Sequence, residues 1–329
     1  MVAVFDGHND AITREDAADF ATGRSGGHLD LPRARAGGLA GGVFAIFTSP
    51  PGTEELLPIS AEVAAPHATR AAGRLLALER AGRLRIARAP GDLDAARADG
   101  VLAAVIHLEG AEAIDPDLEA LEYWHAAGLR SLGPVWSRPN AFGHGVPFAF
   151  PSSPDTGPGL TAAGTALVRR CMALGIAVDL SHLNEAGFWD VARIEGAPLI
   201  ASHSGVHALS PSARNLTDAQ LDAIGASGGV VGIVFAVGFL RADGADDAAT
   251  PLSAVVAHVR YAADRIGVEH VALGSDFDGA TVPDELGDVA GLPRLIEALR
   301  ADGFTEAELQ AIAWDNWRRV LECAWTVTG

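Results

Sequence analysis

Cysteine is scarce in this chain: the 329 residues hold two, Cys171 and Cys323. They lie too far apart for a zinc-finger or CxxC redox spacing, and each stands in an apolar, helix-like context, so both are expected as reduced core residues. Long apolar runs are missing as well. Nothing approaches the roughly 18 to 20 residues that span a bilayer, and no basic segment followed by an apolar stretch precedes the first strand-like run. The expectation is a cytoplasmic protein with no membrane partner. Runs of Lys and Arg are also absent: 24 basic residues face 42 acidic ones, a net charge of −18. An acidic surface repels phosphate backbones, which excludes nucleic acid as a partner. No internal repeat and no low-complexity tract interrupts the chain, apart from a general Ala/Gly enrichment.

What the chain does have is 49% hydrophobic residues in alternating strand-like and helix-like segments. Strands are expected near 3–8, 43–48, 101–108, 129–135, 176–180, 198–202, 229–235 and 270–275. Several of these are continuous apolar runs, as parallel strands buried on both faces require. Helices are expected near 54–82, 116–127, 160–174, 184–195, 217–226, 251–266, 289–302 and 305–325. Thr217 and Thr305 supply cap-like starts, and Gly128, Gly175 and Gly267 terminate. The alternation predicts a single (β/α)8 barrel of TIM type, one catalytic domain over residues 1–329. Segment 137–160, SRPNAFGHGVPFAFPSSPDTGPGL, is too long for an ordinary connection, and its aromatic content suits a loop folded over a site.

Chemistry gathers where the strand-like runs end. Val2–Phe5 leads into Asp6-Gly7-His8-Asn9-Asp10, and alternation along a strand puts His8 and Asp10 on one side, where they can bind one ion. Taken alone this reads equally well as a turn, because Asp, Gly and Asn are turn residues. Four more ends repeat the pattern: His107-Leu108-Glu109-Gly110, Asp179-Leu180-Ser181-His182, Ser202-His203-Ser204 and Ser275-Asp276-Phe277-Asp278-Gly279. A lone His or Glu after a buried strand is more often a hydrogen-bonded rim residue than a ligand. Five such ends in order point to a metal centre.

These motifs, DGHND, HLEG, VDLSH, ASHSG, ARNLTD, GSDFDG and DNWRRV, run through essentially the whole chain, which resembles the membrane (renal) dipeptidase family of metallopeptidases in the amidohydrolase superfamily. The resemblance implies two zinc ions: His8 and Asp10 on one, His182 and His203 on the other, with Glu109 and a hydroxide bridging them. Two cations lower the pKa of that water and polarise the scissile carbonyl. Asp276 matches the family's acid/base residue, which moves a proton to the leaving amine, while Asp278 is expected to brace its loop. Arg214 matches the arginine that engages the substrate's carboxyl end, for which a guanidinium fork is well shaped. The implied substrate is a short peptide with a free carboxylate, a D-residue being tolerated at the C-terminal position. A homodimer is the implied assembly.

One position departs from the family. Where a histidine ends strand 4, in a segment similar to LTLTH, this chain reads Ser131-Leu132-Gly133-Pro134-Val135-Trp136. An indole donates one hydrogen bond and cannot become a cation, so Trp136 is expected to wall the substrate pocket, with His144 in the following loop a candidate stand-in. The departure keeps open a metal-dependent amidohydrolase acting on N-acyl amino acids or related small amides. A catalytically silent, partner-binding barrel is disfavoured by the full set of ligand positions. His107, His125, His207 and His270 match no ligand role and are read as structural.

Overall fold

Parallel strands organise the molecule, and the computed structural model describes residues 2–48 and 57–326. The strands are β1 Val4–Asn9, β2 Leu39–Phe47, β3 Leu84–Ile86, β4 Leu102–Glu109, β5 Leu129–Gly133, β6 Ala177–Val178, β7 Ile200–Ser204, β8 Val230–Ile233 and β9 Val271–Leu273. One sheet runs β1-β2-β4-β5-β6, a second β7-β8-β9. Two parallel bridges join them: Asp179 pairs with Ile200 after β6, and Asn9 at the end of β1 pairs with Phe277 beyond β9. The eight expected strands thus curl into a TIM-type barrel. Strand β3 is an addition that the sequence pattern did not mark; its three residues pair with the first half of β4.

The strands are long enough in apolar residues to be covered on both faces. Every residue of β1 and β4 is buried. Outside lie the helices, whose starts follow local chemistry. Thr217 and Thr305 form reciprocal capping boxes with Gln220 and Glu308, and Gly128 ends helix Glu119–Ala127 at a φ of 113° that a side chain rarely adopts. The expected helix 54–82 is observed as Ala61–Arg80, and its first residues, 54–56, lie outside the described residues. Helices Leu31–Gly37 and Pro90–Ala98 were not marked in the sequence.

The floor of the barrel is a plug. The expected helix 305–325 is one helical run with a π turn inside it: Glu306–Gln310 passes through Ala311–Asp315 into Asn316–Trp325. The turn swings Trp314 and Trp317 against Phe5, with ring centroids 5.7 and 6.0 Å away, and the Trp317 indole donates to Leu273 O at 2.9 Å. This is the structural role of the DNWRRV motif. Cys323 corrects the expectation of two core cysteines. The last helix buries Trp317, Val320, Leu321 and Ala324, leaving Cys323 exposed on the other face, while Cys171 is buried.

Candidate metal centre

With the plug closing one end, the strand C-termini open at the other, and the predicted ligands converge there. Glu109, last residue of β4, is the hub. Its Oε1 lies 3.4 Å from His8 Nε2, 2.9 Å from His182 Nε2 and 3.6 Å from His203 Nε2. Asp10 Oδ2 stands 3.6 Å from His8 Nε2. Donor atoms of Glu109, His182 and His203 fall within 4.8 Å of one another, as do those of His8, Asp10 and Asp276. These two groups of potential donors meet at the His8–Glu109 contact, and His8 and His203 form a third such group with Asp179.

The donor set fits divalent metal on its own chemistry. Both ring nitrogens of His8 are buried without a hydrogen-bond partner, a cost the fold carries only if something else binds there. Nε2 of His182 and of His203 approach to 3.0 Å. Imidazole nitrogens and carboxylate oxygens are the donor types that divalent transition metals take. Protein groups alone leave the cluster electrostatically unbalanced: burial pushes Glu109 well above the carboxylate range and holds His182 and His203 well below the usual imidazole value. Burial, with Asp10 alongside, raises Asp276 to about 6. A bound cation opposes the burial penalty on the two carboxylates and acts in the same direction as burial on the two imidazoles, keeping them neutral with a lone pair free to ligate.

The centre lies on the wall of a cavity of about 1060 Å³, which also takes in Trp136, Phe148, Arg214 and Phe239. Arg214 is buried. Its guanidinium donates to Ser181 O and to His203 O, comes within 3.4 Å of His182 Nε2, and leaves its Nε–H unpartnered.

Family comparison decides the identity. The membrane dipeptidase family, peptidase family M19, matches residues 1–328. The chain belongs to that family. A metallopeptidase from Rhodobacter sphaeroides, solved with a phosphinate mimic of the dipeptide L-Ala-D-Ala, superposes with a TM-score of 0.95 at 48% identity, over 98% of this chain and 99% of that one. Dipeptidase AC, a metallopeptidase of family M19, superposes with a TM-score of 0.95 at 51% identity, again over 98% and 99% of the two chains. In sequence, a protein from the pqqA 5′ region of Klebsiella pneumoniae is 56% identical over 225 residues, 68% of this chain and 83% of that protein. The present chain is therefore a metal-dependent dipeptidase on a TIM-type barrel.

Several residues of this dipeptidase centre escaped the sequence reading. Ser137 Oγ lies 2.8 Å from His182 Nδ1, and Ser202 Oγ 2.8 Å from His203 Nδ1, so each of these imidazoles is oriented from behind. Glu112, three residues past Glu109, forms a buried ion pair with Arg138 at 2.9 Å and accepts from Thr48 Oγ1 at 2.8 Å. Arg138 in turn lies over Trp136 and Phe47, which fixes the wall of the cavity. A Cβ on Gly279 would stand 2.3 Å from both Asp10 Oδ2 and Asp276 Oδ1, so only glycine lets the last loop pass this close. The GSDFDG motif was a possible signal for it.

Other predicted positions fall outside the ligand cluster. Trp136 is buried against His182, with centroids 5.8 Å apart, and Phe47 at 4.9 Å. His144 points elsewhere: its Nδ1 meets Gly159 O at 3.3 Å and it is not part of the cavity lining. Segment 137–160 is tied down by Val146 N to His182 O, Ser152 N to Pro211 O and Leu160 N to Asp190, and it sends Phe148 into the cavity. Asp278 accepts from Arg24 and from the backbone N–H of His28, as a loop brace does. His107 sits beneath the centre, 2.9 Å from Ser131 Oγ and 3.7 Å from Asp179. His207 and His270 contact backbone carbonyls of Ser152 and Gly229.

Among the described residues no helix is long and apolar enough to cross a membrane.

Proposed function

We propose that the chain works as one catalytic domain that hydrolyses dipeptides bearing a free C-terminal carboxylate, including L-Xaa-D-Xaa dipeptides, at a centre of two zinc ions. His8 and Asp10 hold one ion, His182 and His203 the other, and Glu109 offers an oxygen to each. The observation that carries this reading is the convergence of His8, His182 and His203, which follow or end three different strands, on the carboxylate of Glu109. When bound, the two cations supply water ionised near neutral pH and a positive field for the scissile carbonyl.

The chain's own groups do the rest. Asp276 faces Asp10 across the first ion's site and carries a proton from the attacking water to the leaving nitrogen. Arg214, with its unpartnered Nε–H, receives the substrate carboxylate and so sets which bond lies over the metals. Trp136 supplies wall rather than charge. A homodimer is the expected assembly, to be checked by light scattering.

The test is zinc-loaded protein with its metal counted, presented with L,L and L,D dipeptides beside N-acyl amino acids. Two zinc per chain and faster hydrolysis of the dipeptides is the expected result, with Glu109→Gln losing metal at both positions. Cleavage of N-acyl amino acids alone would move the substrate class, and full double occupancy with normal turnover in Glu109→Gln would end the bridging assignment.

A further inference from the structure

The cavity over the predicted metal ligands is lined by chemically different groups. Five side chains close a circuit. His182 and Trp136 have ring centroids 5.8 Å apart, Trp136 and Phe148 5.3 Å, and Phe148 and Phe239 6.1 Å in parallel stacking. The Arg214 guanidinium lies 5.4 Å from the Phe239 ring, and its Nη2 is 3.4 Å from His182 Nε2. The circuit therefore returns to its start, enclosing a hollow with a cation and a metal-side imidazole at its base and three aromatic rings around its rim. The same cavity is also lined by Arg14, His28, Asp246 and Asp284.

We propose that the aromatic hollow is the subsite for the side chain of the substrate's C-terminal residue, and that it selects large apolar or aromatic side chains there. The inference rests on the reading that Arg214 holds the C-terminal carboxylate. A carboxylate on Arg214 places the side chain of its own residue among the rings, because both leave the same Cα. Asp246 and Asp284, which line the same cavity, offer carboxylates to the dipeptide's ammonium group.

Chemistry around the hollow excludes charged occupants. An acidic side chain entering it would find Arg214 committed to the main-chain carboxylate, and an ammonium side chain would approach that same guanidinium. The rear faces of Trp136 and Phe47 are taken by Arg138, whose Cζ lies 5.2 and 5.4 Å from their ring centroids. Apolar groups meet no such cost and gain contact: Phe148 is 48% exposed, so a bound Leu or Phe side chain removes from water a ring that the fold leaves uncovered.

The test uses zinc-loaded protein and a matched set, L-Ala-Xaa with Xaa as L- or D-Ala, Leu, Phe, Asp and Lys, together with the C-terminal amide of the Leu substrate. The expected kcat/KM for Leu and Phe exceeds that for Asp and Lys roughly ten-fold or more, the scale on which apolar pockets discriminate. Phe148→Ala should narrow the Leu-to-Ala ratio, chiefly through KM, and Phe148→Leu should restore most of it. Phe148 lies on the cavity rim, and circular dichroism with a metal count verifies that each variant is folded and loaded. Equal rates across C-terminal side chains, or a Phe148→Ala loss uniform over the set, overturn the subsite. An amide cleaved as fast as the free acid instead overturns the Arg214 reading, and that outcome is separate from the side-chain ratios. Failure to cleave any dipeptide overturns both.

Discussion

Ser202 Oγ lies 2.8 Å from Nδ1 of His203 and on its other side hydrogen-bonds to Asp179 Oδ2. A hydroxyl has one proton. Given to the carboxylate, it leaves Oγ as acceptor, so His203 carries its proton on Nδ1 and presents a lone pair on Nε2, the nitrogen 3.6 Å from Glu109. Asp179 is held as an anion by Ser181 N, Ser181 Oγ and Ser202 N. One buried carboxylate thus sets the ligating state of an imidazole through an intervening serine.

Ser202→Ala should therefore weaken metal binding without removing a ligand. Groups that orient ligating histidines are worth roughly 10- to 100-fold in metal affinity. Competition against a chromophoric chelator measures this, with circular dichroism to verify the fold. Unchanged affinity would mean that packing alone orients His203.

Asp276 sits at a φ of 59°, in the left-handed region that asparagine tolerates better than most residues. Asp276→Asn should keep the backbone, the fold and the metal content while kcat falls roughly 10²- to 10⁴-fold, the usual scale for a proton-transfer group. A variant with full metal and full kcat would place proton transfer on another residue.

Gly279→Ala adds a methyl 2.3 Å from oxygens of both Asp10 and Asp276. Neither carboxylate can stay in place, so metal affinity and kcat/KM should fall together, by roughly ten-fold or more for about 1 Å of misplacement at a reacting centre. Wild-type metal affinity in this variant would show that the loop shifts without disturbing the ligands.

A pH effect on stability should arise away from the metals. His258 is buried; its Nδ1 accepts from Val206 N at 2.9 Å, which leaves Nε2–H to donate to Leu240 O at 3.1 Å. Burial lowers its pKa from 6.5 to about 4. Between those values the unfolded chain takes up a proton that the folded chain refuses, so the contribution is complete above pH 6.5, shrinks as pH falls, and is gone below about 4. The full change is about 3 kcal/mol. Urea denaturation of His258→Asn, which does not titrate, should lose correspondingly less stability than wild type between pH 7 and 4. Parallel losses in the two proteins would exclude His258 as the source.

The barrel and the cluster of His, Glu and Asp side chains at its mouth were readable because both depend on short-range pattern. A parallel strand buried on both faces must be a run of apolar residues, and its C-terminal end is where a polar side chain first reaches the open mouth. His8, Glu109, His182, His203 and Asp276 each follow such a run, and the motifs they make carried the family. Strand β3 was missed because three residues, Leu84–Ile86, are too few to show a period. Cys323 was misplaced because an apolar neighbourhood in sequence does not say which face of a helix turns inward.

The sequence by itself determined the order of the strands and of the His, Glu and Asp residues that follow them, the barrel class and the metallopeptidase family, since each is encoded within a few consecutive residues. Tertiary structure alone decided what surrounds those ligands. Ser202 beside His203 is a local pair, but its use depends on Asp179 from another strand. Trp136 and Phe148 come from the connection after β5 and Phe239 from the one after β8, and nothing in their spacing announces a common hollow. Gly279 is a turn residue in sequence and becomes a requirement only when Asp10, from the far end of the chain, is brought against it. The physical reason is the same in each case: a strand and its terminal ligand are set by neighbours in the chain, whereas packing, hydrogen-bond partners and cavity shape are set by neighbours in space.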